Sequence, residues 1–326
     1  MRLSSWFAIG ATALAAGLGS IAAAQDFPSK PVTIVVGFSA GSGTDTVTRA
    51  IADEMAKALG QPVLVENREG ASGIIGANAV ARSAPDGYTL LMAPTIVTIN
   101  QAVRKNKPYD LAKDFTPVGL AAQAAFVLLA NKDLPVSNVA DLVELAKQRT
   151  EGNRVKFGSG GVGSLAHLSG ELLKSAAGID MVHVPYKGDA ASAADMMAGR
   201  IDVMFTVFGT ASPLISEGQV KALAIGSMGR STSMPDLPTI AESGYPAAVE
   251  QVSWYGILGP AGLPGEVVDK LHAALVTALK SPELAERLAR INVQIRSSTP
   301  QEFATTITQS VMAWEEIAQS INLVVE

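Results

Sequence analysis

Val32-Thr-Ile-Val-Val-Gly37-Phe-Ser39-Ala-Gly41-Ser-Gly43-Thr-Asp45 runs from β-branched residues through closely spaced glycines into a helical pattern. It reads as a strand, a tight turn and a helix start. A second stretch repeats the plan, with Arg154-Val-Lys-Phe157 followed by Gly158-Ser-Gly-Gly-Val-Gly-Ser164. A helix start exposes unpaired backbone N–H groups at the positive end of its dipole, and glycine lets a ligand approach that backbone closely. Each turn is therefore an anion cradle that needs neither Lys nor Arg. Two cradles far apart in the chain suggest a site that closes around a small, negatively charged molecule.

Outward from these turns, strand and helix patterns alternate along the chain, the signature of an α/β protein with mainly parallel strands. After Val32–Val36, a helix is expected over Thr44–Leu59 with Thr44 or Asp45 as its cap. Further strands are expected at Val63–Glu66 and Thr89–Met92, and Gly70–Gly76 opens a helix whose Ile74-Ile75 interior suggests close packing on the sheet. The apolar run Ala124–Ala130 is placed as a crossing between two lobes. A second series follows: helices at Asn138–Gln148, Leu165–Ala177 and Ala190–Ala198, and strands at Val155–Phe157, Met181–Val184, Asp202–Thr206 and Ala222–Ile225. Near Val252–Ile257 the chain returns to the first lobe, and three amphipathic helices finish it. Lobe 1 is thus expected over 25–123 plus 253–326 and lobe 2, inserted, over 124–252. Such a chain has a hinged cleft.

The first 24 residues read as a secretory leader: Arg2, the apolar stretch Trp6–Ile21, and the small residues Ala22-Ala23-Ala24 before a cleavage site. Cleavage after Ala24 leaves a periplasmic chain of about 300 residues, a length that suits two domains. There are no cysteines, which excludes a disulfide-stapled fold and thiol chemistry. Of 25 basic residues one, Arg2, lies in the leader, so 24 stand against 30 acidic ones in the mature chain, a net charge of −6. An acidic chain without basic clusters argues against nucleic acid and anionic lipid as partners. A bound anion must then be held by local dipoles.

Two motifs imitate enzymes. Gly37-Phe-Ser39-Ala-Gly41 matches the G-x-S-x-G elbow of serine hydrolases. Here the elbow follows the first strand, so no earlier loop can form an oxyanion hole. None of the three histidines, His167, His183 and His272, sits in a recognisable triad loop. Gly158-x-Gly160-x-x-Gly163 matches a dinucleotide fingerprint. The expected acidic residue after the next strand is absent, because Pro185-Tyr-Lys stands there. Scattered histidines without cysteine give no metal cluster, and no cofactor is expected. His272 and His183 read as packed residues. His167, in the first turn of the helix behind the second cradle, could face the cleft. Asp45 reads as a helix cap or a ligand-orienting group, and Trp254, Tyr255 and Tyr186 as hinge packing or ligand stacking.

Several stretches in order carry a family resemblance: Pro31-Val-Thr-Ile-Val-Val36, Gly41-Ser-Gly-Thr-Asp45, Val65-Glu-Asn-Arg-Glu-Gly-Ala-Ser-Gly73, Asp86-Gly-Tyr-Thr-Leu90, Gly158–Ser164, His183-Val-Pro-Tyr-Lys-Gly188, Leu237-Pro-Thr-Ile-Ala-Glu-Ser-Gly244 and Trp254-Tyr-Gly-Ile-Leu-Gly-Pro-Ala-Gly262. Over essentially the whole mature chain, the sequence resembles the Bug receptors, the extracytoplasmic solute-binding proteins of tripartite tricarboxylate transporters. The resemblance implies a two-lobe, type II periplasmic-binding-protein (Venus flytrap) fold with a small carboxylate between the lobes. It implies a monomer that binds without catalysis and delivers its ligand to membrane transporter subunits. A receptor that presents ligand to a sensor kinase, or an exported hydrolase using Ser39, would be the alternatives. Carried over, the ligand residues are Phe38, Ser39, Ala40, Gly41, Ser42, Thr44 and Asp45 of the first turn and Gly160, Gly161, Val162 and Ser164 of the second. His167, Thr95, Asp202 and Thr206 complete the set. The family's first turn usually reads Pro-Ala/Pro-Gly-Gly, where this chain has Ser39-Ala40-Gly41-Ser42. The two extra hydroxyls are expected to add donors or to narrow the pocket.

Overall fold

A computed structural model describes residues 27–226, 229–231, 234–245 and 252–325. The leader expected over residues 1–24 lies outside them. The chain forms β1 (Val32–Val36), α1 (Gly43–Leu59), β2 (Val63–Asn67), α2 (Ile74–Ala81), β3 (Thr89–Pro94), α3 (Ile96–Val103) and the long β4 (Phe115–Asn131). It continues through α4 (Val139–Gln148), β5 (Val155–Ser159), α5 (Leu165–Ala177), β6 (Met181–Pro185), α6 (Asp189–Met197), β7 (Val203–Val207), α7 (Phe208–Ser216) and β8 (Val220–Gly226). Then come β9 (Val252–Pro260), α8 (Gly265–Ala278), α9 (Pro282–Arg290), β10 (Val293–Ile295) and α10 (Pro300–Ser320). No helix among the described residues is long and apolar enough to cross a membrane.

The strands fall into two groups. In the first, β1 pairs in parallel with β2 and β3, while β9 and β10 add antiparallel partners. In the second, β5 pairs in parallel with β6 and β7. The 17 residues of β4 belong to both. Up to Ala125 it pairs with β9, and from Phe126 onward with β7 and β8. The apolar run Ala124–Ala130 is thus a strand that crosses from one group to the other.

Helices cover both faces of each group, so β1, β3 and the later half of β4 can be apolar almost without interruption. Ile34, Ile51, Leu271 and Leu284 pack on one face of the first group, and Leu91, Leu258 and Phe303 on the other. In the second group, Leu128, Phe157 and Leu168 form one layer and Leu129, Met196 and Phe208 the opposite one. The apolar stripe of α10 serves both groups: Phe303, Ile307 and Val311 pack on the first, Trp314 and Ala318 on the second. Together β4 and α10 hold the groups at a fixed seam.

Three elements lack a clear sequence signal. The β-branched Ile96-Val-Thr-Ile99 of α3 resembles a strand, α7 contains Gly209 and Pro213, and β10 is only three residues long. Phe303 is fully buried and meets Trp254 edge-on, with ring centroids 5.4 Å apart. It occupies the space beside Gly256, where a Cβ would collide with its ring. Phe303→Ala is expected to cost about 3–5 kcal/mol, measured by urea denaturation.

Candidate functional site

The two glycine turns are built on one plan. Ser42 caps α1 and Ser164 caps α5, both with extended backbone. The Ser42 hydroxyl accepts from Asp45 N–H at 3.3 Å, and the Ser164 hydroxyl from His167 N–H at 3.2 Å. The side chain of that same third helical residue then reaches back. Gly41 N–H donates to Asp45 Oδ2 at 2.9 Å, and Gly163 N–H donates to His167 Nδ1 at 3.1 Å. Both glycines hold the left-handed φ that this turn requires, +80° and +76°. These bonds leave the N–H groups of Gly43 and Thr44, and of Leu165 and Ala166, as the first-turn donors without a partner inside their helices. The repeated spacing is Gly-Ser-x-x-acceptor, legible in the sequence once the acceptor is allowed to be Asp or His.

This arrangement corrects the placing of the α1 cap at Thr44 or Asp45: it is Ser42, because a serine in extended backbone reaches the third helical N–H. Asp45 is 3% exposed and fully engaged. Arg49 Nε donates to Oδ2 at 3.0 Å, and Asn67 Nδ2 donates to Oδ1 at 2.8 Å. Burial works to raise its pKa, but the bonds from Arg49, Gly41 and Asn67 outweigh burial and hold the carboxyl below its usual range. Asn67 also donates to Phe38 O at 3.0 Å, which ties the turn to the end of β2. Beneath it, a Cβ on Gly37 would lie 2.7 Å from Gly73 Cα, and one on Gly76 2.9 Å from Gly37 Cα. The close packing expected of the Gly70–Gly76 segment therefore comes from its glycines, while Ile75 is exposed. Ser39, Ala40 and Gly41 form the exposed tip.

Behind the second turn stands a column of rings. His167 stacks on His183 at 3.8 Å between centroids, and His183 on Phe157 at 4.9 Å. His183 Nε2 lies 2.7 Å from Ser159 Oγ, which in turn accepts from Gly161 N–H at 3.1 Å. His167 is 5% exposed and supports the turn from behind rather than facing the cleft, since its Nδ1 lone pair is taken by Gly163. Burial lowers its pKa, with Lys174 acting in the same sense and Glu171 against it. For His183, burial first, then His167 and Lys174, bring the pKa to about 3. Gly160 and Gly161 are half-buried and Val162 is exposed.

Both turns lie at the carboxyl ends of parallel strands, the edge where open α/β sheets bind ligands. Thr206, at that end of β7, is fully buried, and its hydroxyl donates to Asp189 Oδ2 at 2.9 Å. Asp189 Oδ1 would meet a Cβ on Gly160 at 2.7 Å, so the carboxylate lies against the second turn. Across the seam, a Cβ on Gly43 would lie 3.9 Å from the Tyr255 hydroxyl. Burial raises the pKa of that hydroxyl, Ser253 opposes the rise, and the charge of Asp189 adds to it. Gly43 thus borders Tyr255 and Gly160 borders Asp189, whose charge acts on the Tyr255 hydroxyl.

Asp202 does not join them. It precedes β7 at the opposite strand end, where it pairs with Arg149 at 2.9 Å and accepts from Lys156 N–H at 2.8 Å. At roughly 3.3 Å per residue along a strand, it lies about 13 Å from Thr206. Thr95 is also committed elsewhere, since its hydroxyl accepts from Trp254 N–H at 2.8 Å. It borders a separate cavity of ≈ 600 Å³ against α10, lined also by Gln123, Trp254, Arg230, Arg296 and Trp314. Trp254 packs edge-on against Phe303, and the Tyr186 hydroxyl donates to Asp195 at 2.8 Å.

Residues 47–323 match the tripartite tricarboxylate transporter family receptor. The chain belongs to this family. Among solved structures, it is similar to the periplasmic binding protein BugD, with 33% identity, TM-score 0.81, and coverage of 92% of this chain and 100% of that one. It is also similar to Rpa4515 of R. palustris with adipate, at 34% identity and TM-score 0.83, covering 92% of this chain and 99% of the other. MatC of Rhodopseudomonas palustris, with bound malate, shares 33% identity at TM-score 0.79, covering 89% and 99%. The fold is accordingly the two-lobe periplasmic-binding-protein fold with a hinged cleft.

In this receptor the second turn depends on neutral histidines. His183 has an ordinary pKa of 6.5, brought to about 3 in the fold. Between those values the unfolded chain binds a proton that the folded chain refuses, so stability declines as pH falls from 6.5 toward 3. Thermal melts are expected to show a Tm that drops from pH 7 to pH 4, and His183→Gln should make that slope shallower. At the first turn, Asp45→Ala strands Gly41 N–H and removes the acceptor of Arg49 Nε. It is expected to cost about 1–3 kcal/mol in urea denaturation.

Proposed function

We propose that this receptor captures a small carboxylate in the periplasm, between its lobes, and delivers it to the membrane subunits of a transporter. One observation carries the reading: each of the two strand groups ends a parallel strand in a helix start of the same design, with its first donors open. A carboxylate docked on the Gly43–Thr44 donors of one lobe is enclosed when the Gly160–Ser164 turn closes over it. Closure excludes water, and N–H bonds to an anion strengthen as the local dielectric falls. The ligand shifts the open–closed equilibrium by the difference in its affinity for the two states. Relatives that hold adipate and malate support the chemical class. The lobes are divided as 25–123 plus 253–326 and 124–252, a division supported by the change of β4 partners at Ala125 and Phe126. Export follows cleavage after Ala24, and the protein acts as a monomer.

Of the expected ligand residues, Ser39, Ala40, Gly41 and Thr44 are proposed with Gly160, Gly161, Val162 and Ser164, framed by Phe38, Ser42 and Thr206, and the N–H of Gly43 is added to them. Binding proceeds without turnover. Ser39 stands at an exposed tip, while His167 and His183 are bonded behind the other turn and His272 Nδ1 lies 3.0 Å from Val118 O. No histidine is therefore available to the Ser39 hydroxyl among these contacts.

A thermal-shift panel of mono-, di-, tri- and aromatic carboxylates is expected to raise the Tm for at least one class. A panel without any rise would end the carboxylate reading. Ser39→Ala is expected to leave the fold intact and to weaken binding by up to about 10-fold, the worth of one neutral hydrogen bond. Ester hydrolysis by the parent protein that vanishes in Ser39→Ala would instead establish the hydrolase.

A further inference from the structure

An acid stands where an anion is to be bound. Asp189 is the first residue of α6, and its carboxylate lies against Gly160 of the second turn, held by the Thr206 hydroxyl at 2.9 Å. An Asp in the first helical turn is often no more than a favourable partner of the helix dipole. The position of this one goes further. Oδ2 is taken by Thr206, whereas Oδ1 lies over the bare Cα of Gly160, at the carboxyl ends of β5, β6 and β7. Its charge also raises the pKa of Tyr255, whose hydroxyl lies 3.9 Å from a Cβ placed on Gly43 at the start of α1.

The surroundings leave this carboxylate without a counter-charge. Burial raises its pKa, the Thr206 bond opposes the rise, and no cation among the described residues contributes. Several other enclosed acids of the chain have a cation beside them: Asp45 has Arg49, Asp202 has Arg149, and Glu171 has Lys174. A carboxylate enclosed in a closing cleft without a cation is costly, and a ligand cation removes that cost. A plain dicarboxylate seated beside it would meet like-charge repulsion.

We propose that Asp189 is a specificity residue that receives the ammonium group of an amino-acid-like ligand, whose carboxylate occupies the helix-start donors. The inference rests on the carboxylate reading and narrows it to zwitterionic acids. The glycine turns supply the attraction for the carboxylate. Asp189 supplies both the attraction for the amine and the penalty against analogues that lack one, and such a pair of effects is what produces discrimination. Gly160 belongs to the device, because a side chain there would displace the Asp189 carboxylate.

The test uses isothermal titration of the purified protein at pH 7.5 with three matched pairs of probes: L-aspartate and succinate, L-glutamate and glutarate, L-leucine and 4-methylpentanoate. In at least one pair the amine-bearing member is expected to bind about 10- to 100-fold more tightly, the range of a charge-assisted hydrogen bond. Asp189→Asn keeps the shape of the residue and an acceptor for Thr206, and should collapse that ratio toward one with an unchanged far-ultraviolet spectrum. If the amine-free acids bind as well as or better than their partners, the role of Asp189 is overturned while the carboxylate reading stands. A preference for the amine that survives in Asp189→Asn likewise overturns it. Silence from all six probes, in a protein whose folding is intact, counts against both readings, and binding confined to amine-free acids counts against this one alone.

Discussion

The donation of a glycine N–H to the third residue of the helix that follows it governs the shape of the cleft. A flexible glycine turn left to itself tends to spend its donors internally. Here Gly41 gives its N–H to Asp45 and Gly163 gives its N–H to His167, while Ser42 and Ser164 accept from those same two residues. The third donor of each helix is thereby consumed and the first two are left over. The turn is rigid because its own bonds are satisfied. It is receptive because two donors are not. Asp and His achieve this with different electrostatics: Asp45 is an anion balanced by Arg49, and His167 is kept neutral by burial. Neither adds net positive charge, so the attraction for an anion comes from the peptide dipoles.

That attraction operates against the field of an acidic chain, whose net charge is −5 before any processing. Closing the cleft resolves the conflict, because interactions over a few ångströms in a dry site outweigh a screened, distant field. Asp189 belongs to the same balance. An uncompensated carboxylate at the rim of an anion site penalises closure over the wrong molecule and rewards closure over one that brings its own cation.

Closure needs lobes that are tied together yet able to rotate. One continuous strand, β4, donates to both ladders, and α10 lays Phe303 on one lobe and Trp314 on the other. These two elements fix the seam, and each glycine turn follows the carboxyl end of a parallel strand. The cavity beside Arg230 and Arg296 lies on the α10 side of β4 and β9 and takes no part in this meeting.

The α/β alternation, the two glycine turns and the crossing strand were legible in the chain because each rests on local rules: period-two and period-3.6 patterning, and the backbone freedom of glycine. α3 was hidden because its β-branched run favours the opposite structure, and tertiary packing overrode that preference. The cap of α1 falls on Ser42 rather than on Thr44 or Asp45 for a related reason, since sequence places a residue on an element without saying which end or face it serves. Asp202 and Thr206 are four residues apart but lie at opposite ends of β7, one ion-paired with Arg149 and the other bonded to Asp189. The plan of the two cradles was thus written locally, in Gly-Ser-x-x-Asp and Gly-Ser-x-x-His. The grip of Asn67 on Phe38, the stacking of His167 on His183, and the approach of Asp189 to Gly160 were not. Those contacts join residues from separate strands and lobes, and only the folding of β4, β9 and α10 brings them within reach.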